Sequence, residues 1–355
     1  MIALNQNYLD FTLDFAADDV FTAYDKVQNV DGGYRPDVEA TERFCQSLPI
    51  RRIADCYGVM DYAKEKKDVF LWLPLLEKMP QWQRGAQGIG DCVSWGWALG
   101  VDMVLASLWK QGLIDYPKTV VATEAIYGGS RVEADGGKLG GFSDGSYGGA
   151  AAKFVSEWGA VLRLTHNKET GVDEHDLTKY DKKKATSWGN FGCGGKDDAG
   201  RDDGKLDTIA RKFSVSVARV KTSDELTAAL TSGYPVPVCS GVGFGNMKRN
   251  ADGVVGASGS WSHCMCYGGI RWFKGDEQYR LFQSWGKSCS GPDPGVDHEA
   301  VSHCSWWTSK RDAEKILRAN DSFAVSHVEG FPPQILDWAS VATSWGPGGR
   351  NVIPI

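Results

Sequence analysis

The chain has 355 residues, of which 42% are hydrophobic and 24% charged. These are ordinary globular proportions, and they exclude a fibre, a coiled coil or a disordered chain. The length predicts about two domains, or one large two-lobed one with a substantial core. A net charge of −6 gives no electrostatic footprint for nucleic acid or an anionic membrane surface. No run of about 18 apolar residues stands out, so no membrane partner is expected either. The nine cysteines are odd in number and too dispersed for a small disulfide scaffold. The first residues, MIALNQNYLDFTLDFAADDVF, lack the basic and apolar regions of a secretion signal. A cytoplasmic, reducing setting is therefore expected, with most cysteines as buried apolar side chains.

In chain order, residues 1–80 are weakly patterned. RRIADCYGVMDYAKEKKDVFLWLPLLEKM predicts a short helix and then an apolar run broken at Pro74. GAQGIGDC is a Gly-punctuated loop that opens an amphipathic helix. Val93, Trp97, Val101, Val104, Leu105 and Leu108 recur near helical spacing there, and Gly112 stops it. A Gly-rich loop over 128–145 is followed by a helix, AAAKFVSEW, that ends at Gly159. The polar loop 190–206 is the best internal boundary. Beyond it strands dominate, with FSVSVARV alternating, YPVPVC as an edge strand because of Pro235 and Pro237, and HCMCYGG pairing with QYRLFQSWG. Thr222 and Glu225 form a capping box for a short helix ending near Gly233. Ser309 opens the helix SKRDAEKILRA, and SFAVSHV is the last strand. Helices first and strands second predict an α+β fold. The expected division is an extension over 1–80, a helical lobe over 81–189, a β-rich lobe over 190–335 and a tail over 336–355.

The sharpest chemical feature is the run Gln87 to Cys92, directly before the strong helix. A thiol at a helix N-terminus feels the positive end of the macrodipole, which favours thiolate. Gln87 is a candidate partner for the Cys92 backbone amide in an oxyanion hole. Asp91 opposes this, because a carboxylate beside a thiol raises its pKa unless it is spent capping the helix. A thiol nucleophile also needs a base and a group that orients the base. His263, in SHCMCYGG, shares a strand face with Met265, and Gln283 ends the following strand with Trp285 near enough to shield an imidazole–amide bond.

These segments resemble the papain-like cysteine peptidases. QGIGDC is similar to the family's Gln-Gly…Gly-Ser-Cys loop, SHCMCYGG to its His-Ala-Val…Gly-Tyr-Gly strand, and FQSWG to its Asn-Ser-Trp-Gly. Gly145 to Gly149, GSYGG, is similar to its Gly-Cys-Asn-Gly-Gly segment, whose glycines line the substrate cleft. ARVKTSDELTAALTSGYPVPVCSGV resembles the helix and Pro-Val strand that precede the family's histidine. The resemblance covers roughly residues 87 to 286. It implies a two-lobed fold, a helical lobe plus an antiparallel β-barrel-like lobe, here with an N-terminal extension. It assigns Cys92 as nucleophile, His263 as base and later acid, Gln87 as oxyanion donor and Gln283 as the orienting amide, with Gly148, Gly149 and Trp285 at the substrate. His263 follows Cys92 by 171 residues, against roughly 130–150 in the family. An insertion is implied, and the loop 190–206 is its expected place.

Four departures accompany the match. Gln283 is one methylene longer than the family's Asn, Asp91 replaces a small neutral residue, and Gln87 stands five residues before Cys92 rather than six. Ile89 and Ser146 occupy the positions of a family disulfide. Residues 1–80 carry no inhibitory-segment signature and read as a permanent extension, a docking arm. WWTSKRDAEKILRANDSFAVSHVEGFP resembles papain-like proteins carried by bacteriophage particles.

Other signals are weaker. Gly141 to Gly145 fits a G-x-S-x-G elbow but lacks the preceding strand. Cys264, Cys266, Cys289, His298, His303 and Cys304 lack zinc-ligand spacing. Leu281 stands where a P-loop ending at Lys287-Ser288 requires its first Gly. The Asp-rich loop 197–207 lacks the calcium-loop pattern. The tryptophans 306, 307, 338 and 345 suggest core or interface. No metal or cofactor is expected. Two functions follow: a thiol hydrolase acting on a peptide or isopeptide bond, or a retained fold serving as a structural or virion assembly component, with residues 1–80 and 336–355 as contact arms.

Overall fold

The computed structural model describes residues 33–78, 86–115, 119–163 except 140 and 142, 177, 179–192, 210, 213–286 except 246, and 304–334. Most of the expected boundary loop 190–206, the Asp-rich loop, Trp338, Trp345 and the tail lie outside the described residues.

The chain opens with helix α1 (Val38–Ser47), whose N-cap Asp37 accepts from the Ala40 amide at 2.8 Å. A 3₁₀ turn (Ile53–Asp55) and a one-turn helix (Val59–Tyr62) follow, then strand β1 (Val69–Phe70) and helix α2 (Trp72–Lys78). Pro74 does not break the apolar run. It sits in the first turn of α2, where its missing N–H has no intrahelical partner to lose.

Helix α3 (Cys92–Lys110) is the spine. Every residue from Cys92 to Leu108 is buried. The expected amphipathic pattern gives way to a helix that is apolar all round, the kind that is enclosed by protein on every side. By length and composition it is long enough to cross a membrane, contrary to expectation, yet 94% of its apolar window is covered by the rest of this chain. Gly112, at φ +72°, ends it as foreseen. Two glycines let α3 lie directly on the sheet. A Cβ at Gly96 would stand 2.9 Å from the Met265 carbonyl oxygen, and one at Gly100 would stand 3.0 Å from Pro237.

The segment expected as a Gly-rich loop begins as helix α4 (Thr123–Gly128) and continues as a π-helical turn to Glu133. The buried Arg131 inside it organises the loop that follows, donating to the carbonyls of Leu139, Ser143 and Gly145. Helix α5 (Gly148–Glu157) ends at Gly159, φ +94°, as the sequence indicated. Helix α6 (Lys182–Phe191), capped by Asp181, completes the helical lobe.

Strand β2 (Ser216–Arg219) leads to helix α7 (Ser223–Thr231). The foreseen box is formed: the Glu225 amide donates to the Thr222 hydroxyl, and the Thr222 amide donates to the Glu225 carboxylate. Strands β3 (Val236–Val242), β4 (Ser260–Phe273), β5 (Asp276–Phe282) and β6 (Ser305–Ser309) form a curled antiparallel sheet in the order β4-β5-β6, with β3 and β1 both on the free edge of the long β4. Helix α8 (Lys310–Leu317), opened by Ser309, and strand β7 (Phe323–Ser326), paired with β2, close the described chain. Helices and sheet therefore segregate as an α+β fold. Residues of the expected extension contribute β1 to the sheet and pack α1 against α5.

Not every described cysteine is a free thiol. Cys239 and Cys264 face each other across β3 and β4 and form a disulfide, and Cys304 is also disulfide-bonded. Cys45, Cys56, Cys92 and Cys266 are free and buried. The in-register β3–β4 pairing brought two strand cysteines opposite each other, which spacing along the chain does not reveal.

The contact of α3 with β4 makes a direct prediction. Gly96→Ala raises intrinsic helix propensity but forces a methyl against the Met265 carbonyl. It should destabilise the protein by about 1–3 kcal/mol in chemical denaturation. A neutral or stabilising effect would mean that helix and sheet are not this close.

Candidate functional site

The site forms where the N-terminus of α3 meets the start of β4 and the end of β5. Cys92 is the first residue of α3, and its sulfur is fully buried. The thiol lies near the backbone amide of Cys264, the residue after His263. His263 in turn is 3% exposed. Its Nε2 pairs with Gln283 Oε1 at 3.0 Å, while the Gln283 amide nitrogen faces the Met247 sulfur at 3.6 Å. That pattern puts the imidazole proton on Nε2 and leaves Nδ1 for proton exchange. The extra methylene of Gln283 does not prevent this contact. The Trp285 ring lies 4.8 Å from the imidazole and the Trp261 ring 5.5 Å, so two indoles wall it off from water.

Gln87 is brought to the same place. Its backbone amide donates to the Ser284 carbonyl at 2.9 Å, the Ser284 hydroxyl donates to its side-chain oxygen, and Ala86 bridges to Trp285. Its amide nitrogen donates to the Ile89 carbonyl at 3.1 Å and so is held within its own loop.

Asp91 does not cap α3. Its carboxylate accepts from the Tyr180 hydroxyl at 2.8 Å, and that hydroxyl also accepts from the Gly88 amide at 3.2 Å. The other carboxylate oxygen is buried without a hydrogen bond, and the Trp95 indole beside it favours the charged form. Burial pushes the Asp91 carboxyl up to about 8, so it is largely protonated at neutral pH and adds little negative charge beside the sulfur. The thiol itself is pushed up to about 12, mainly by burial, with the Cys264 amide acting the other way. Burial likewise drives the imidazole down to about 3, against the Gln283 bond. In this state the pair is a neutral thiol and a neutral imidazole. No hydrogen bond joins them among the described residues.

Gly148 and Gly149 are buried at the start of α5. As the first residues of α5, they donate their amides to the buried Asp321 carboxylate, each at 2.7 Å. A Cβ at Gly149 would stand 2.5 Å from the Thr41 hydroxyl of α1. Among the described residues, no three His, Cys, Asp or Glu side chains converge as metal ligands.

Sequence reasoning missed Trp261, Ser284, Tyr180 and Asp321. Trp261 stands two residues before His263, on the same strand face, and that periodicity could have found it. Ser284 lies inside the quoted FQSWG motif. Tyr180 reaches Asp91 from 89 residues away and leaves no local signal.

No family model matches the chain, and no curated protein does. Solved structures are similar in fold: xylellain, a cysteine protease from Xylella fastidiosa, with 16% identity over 84% of this chain and 92% of that one at a TM-score of 0.46. Digestive procathepsin L 3 of Tenebrio molitor larval midgut has 13% identity over 87% and 88% at 0.41, and proCathepsin B S9 from Trypanosoma congolense has 11% over 88% and 98% at 0.41. At such identities the chemistry has to be argued from the residues of this chain.

Asp91 predicts a pH dependence. Its folded pKa of about 8 stands above the ordinary 3.8, so the folded state keeps a proton that the unfolded chain releases. The stability it contributes is complete below about pH 4 and is lost as pH rises through about 8. The groups facing it are Tyr180, Trp95, Cys92 and, further off, Glu124. Asp91→Asn keeps the contact with Tyr180 but removes the titration, so its unfolding free energy should decline less over that window. An equal decline in both proteins would contradict the protonated state.

Proposed function

We propose that the chain is a papain-like thiol hydrolase acting on peptide or isopeptide bonds, held here in a latent state. The observation that carries this reading is the convergence of three distant segments. The Cys92 thiol, first in a buried helix, lies near the amide of Cys264, next to His263; the imidazole pairs with Gln283 under two indoles; and Gln87 is pinned by Ser284, the next residue.

The chemistry follows from these atoms. Once the site opens to water, hydration lowers the Cys92 thiol pKa and raises that of His263, and Nδ1 takes the proton. The thiolate attacks the carbonyl carbon, forming a C–S bond. The Cys92 amide and the Gln87 side-chain N–H, turned away from Ile89, stabilise the oxyanion. Imidazolium protonates the leaving amine, the C–N bond breaks, and an acyl-enzyme remains. His263 then draws a proton from water, which hydrolyses the thioester and restores the thiol. Gln283 keeps Nε2 engaged throughout, so that Nδ1 performs both transfers.

The complete burial of Cys92 favours a second reading, the retained fold as a structural or assembly component. The two readings separate on reactivity. Measured once the site has been opened to water, with a thiol-directed epoxide and a fluorogenic peptide library, Cys92→Ala should abolish both labelling and turnover. His263→Ala should lower kcat/KM by about 10²- to 10⁴-fold, as expected for a general base, whereas Gln283→Asn should retain measurable activity. Labelling that persists in Cys92→Ala would remove this sulfur from the chemistry. A fully accessible Cys92 that turns over no peptide would favour the assembly role.

A further inference from the structure

The packing of α1 on α5 leaves a cavity of about 320 Å³, bounded on a third side by the turn that follows the π-helical segment. Cys92, Gln87, His263 and Gln283 do not line it. α1 turns Ala40, Arg43 and Phe44 toward it, and α5 turns Ala150, Lys153 and Glu157, each set at the spacing of one helix face. The turn contributes Asp135 and Lys138, and Tyr147, the N-cap of α5, also lines the space.

Three cations thus meet at one cavity from three separate elements, in a chain whose net charge is −6. Like charges gathered in this way repel, and among the described residues little offsets them. Arg43 has Glu39 at 3.6 Å, but both side chains are largely exposed, and such a pair is worth little. Lys153 donates to the Ala134 carbonyl at 3.4 Å, which leaves donors of its ammonium for another acceptor. Neither Lys138 nor Lys153 has a carboxylate partner among the described residues. The buried carboxylate in the wall, Asp135, is already spent. One of its oxygens accepts from the Tyr147 hydroxyl at 2.7 Å and the other from the Leu139 amide at 3.1 Å, and the buried Arg131 guanidinium offsets its charge. Glu157 is exposed, in the last turn of α5. The buried Phe44 ring and the methyl groups of Ala40 and Ala150 add apolar surface beside the cations.

We propose that this cavity is a binding site for a small organic anion, with a phosphate or carboxylate head held among Arg43, Lys138 and Lys153 and an apolar body against Phe44 and Ala150. The anion supplies the negative charge that the walls lack. Arg43 can meet two oxygens of either head with its planar fork, while the lysines act as point charges. The volume lies at the small end of ligand pockets, which run from about 300 to 1,000 Å³, and suits one small molecule. The site goes beyond the hydrolase reading and does not depend on it. Its three cations are lone basic residues along the chain, so only the packing of α1 on α5 reveals them together.

Isothermal titration calorimetry on the full-length chain tests this with phenyl phosphate, phenylacetate, inorganic phosphate and phenol. Arg43→Gln, Lys138→Met and Lys153→Met each remove one cation, so a folding failure in one leaves the others, and near-ultraviolet circular dichroism checks the native core. Lys183→Met, on α6 and outside the cavity, and Cys92→Ala serve as controls. At least one of the two aromatic anions should bind one per chain, with a Kd of about 1 mM or tighter. Each cavity variant should weaken that binding about tenfold, as expected when a charge-assisted contact is lost. Both controls should bind as the wild type does. Phenol, which lacks the head, and inorganic phosphate, which lacks the body, should bind about tenfold more weakly or not at all. No saturable binding of either aromatic anion would overturn the site, as would binding that survives unchanged in all three cavity variants. An equal loss in Lys183→Met would reduce it to general surface charge, and a loss in Cys92→Ala would move the ligand to the thiol. Inorganic phosphate binding as tightly as phenyl phosphate would overturn the organic ligand. None of these outcomes bears on peptide turnover, so this proposal and the hydrolase reading fail separately.

Discussion

One close approach governs this molecule: the Cα of Gly33 and the backbone of Gly90 meet around the sulfur of Cys92 with no room for a methyl group. That closure, together with the Trp261 and Trp285 rings on His263, keeps the site away from water. Away from water, neither a thiolate nor an imidazolium is stabilised, so Cys92 is held up to about 12 and His263 down to about 3. The helix N-terminus, which would otherwise favour thiolate, is outweighed by burial. The candidate site and its burial are therefore built from the same atoms.

The fold serves that closure. An apolar helix sunk in the core can hold its first residue in a fixed place because every turn behind it is enclosed. Gly96 and Gly100 bring it against β3 and β4, so the thiol reaches the strand carrying His263. The β4–β5 pairing then delivers Gln283 to the imidazole and Ser284 to Gln87. Asp321, buried between α5, Tyr34 and Arg219, ties Tyr34 to the helical lobe. Its carboxyl is raised to about 6 by burial and held there against the pull of the Gly148 and Gly149 amides.

The candidate constellation was legible in the sequence because the chemistry proposed for it needs particular side chains at particular places. Gln87, Cys92, His263, Gln283 and Trp285 each announce a role, and their order along the chain resembles a known family. The capping box at Thr222 and the stops at Gly112 and Gly159 were legible for the same reason, since local backbone geometry selects those residues. What stayed hidden depends on tertiary placement. Asp91 looked like a liability for the thiol, and only its distant partner Tyr180 and its burial make it neutral. The Cys239–Cys264 bond depends on strand register.

The central claim, a neutral sulfur sealed by its own chain, is tested most directly by titrating the thiolate absorbance of the native full-length protein and subtracting that of Cys92→Ala. The account predicts no Cys92 thiolate at neutral pH, its ionisation appearing only well above the ordinary thiol value of about 8.5. A difference signal titrating at or below about pH 7, the behaviour of an open and activated cysteine, would contradict it.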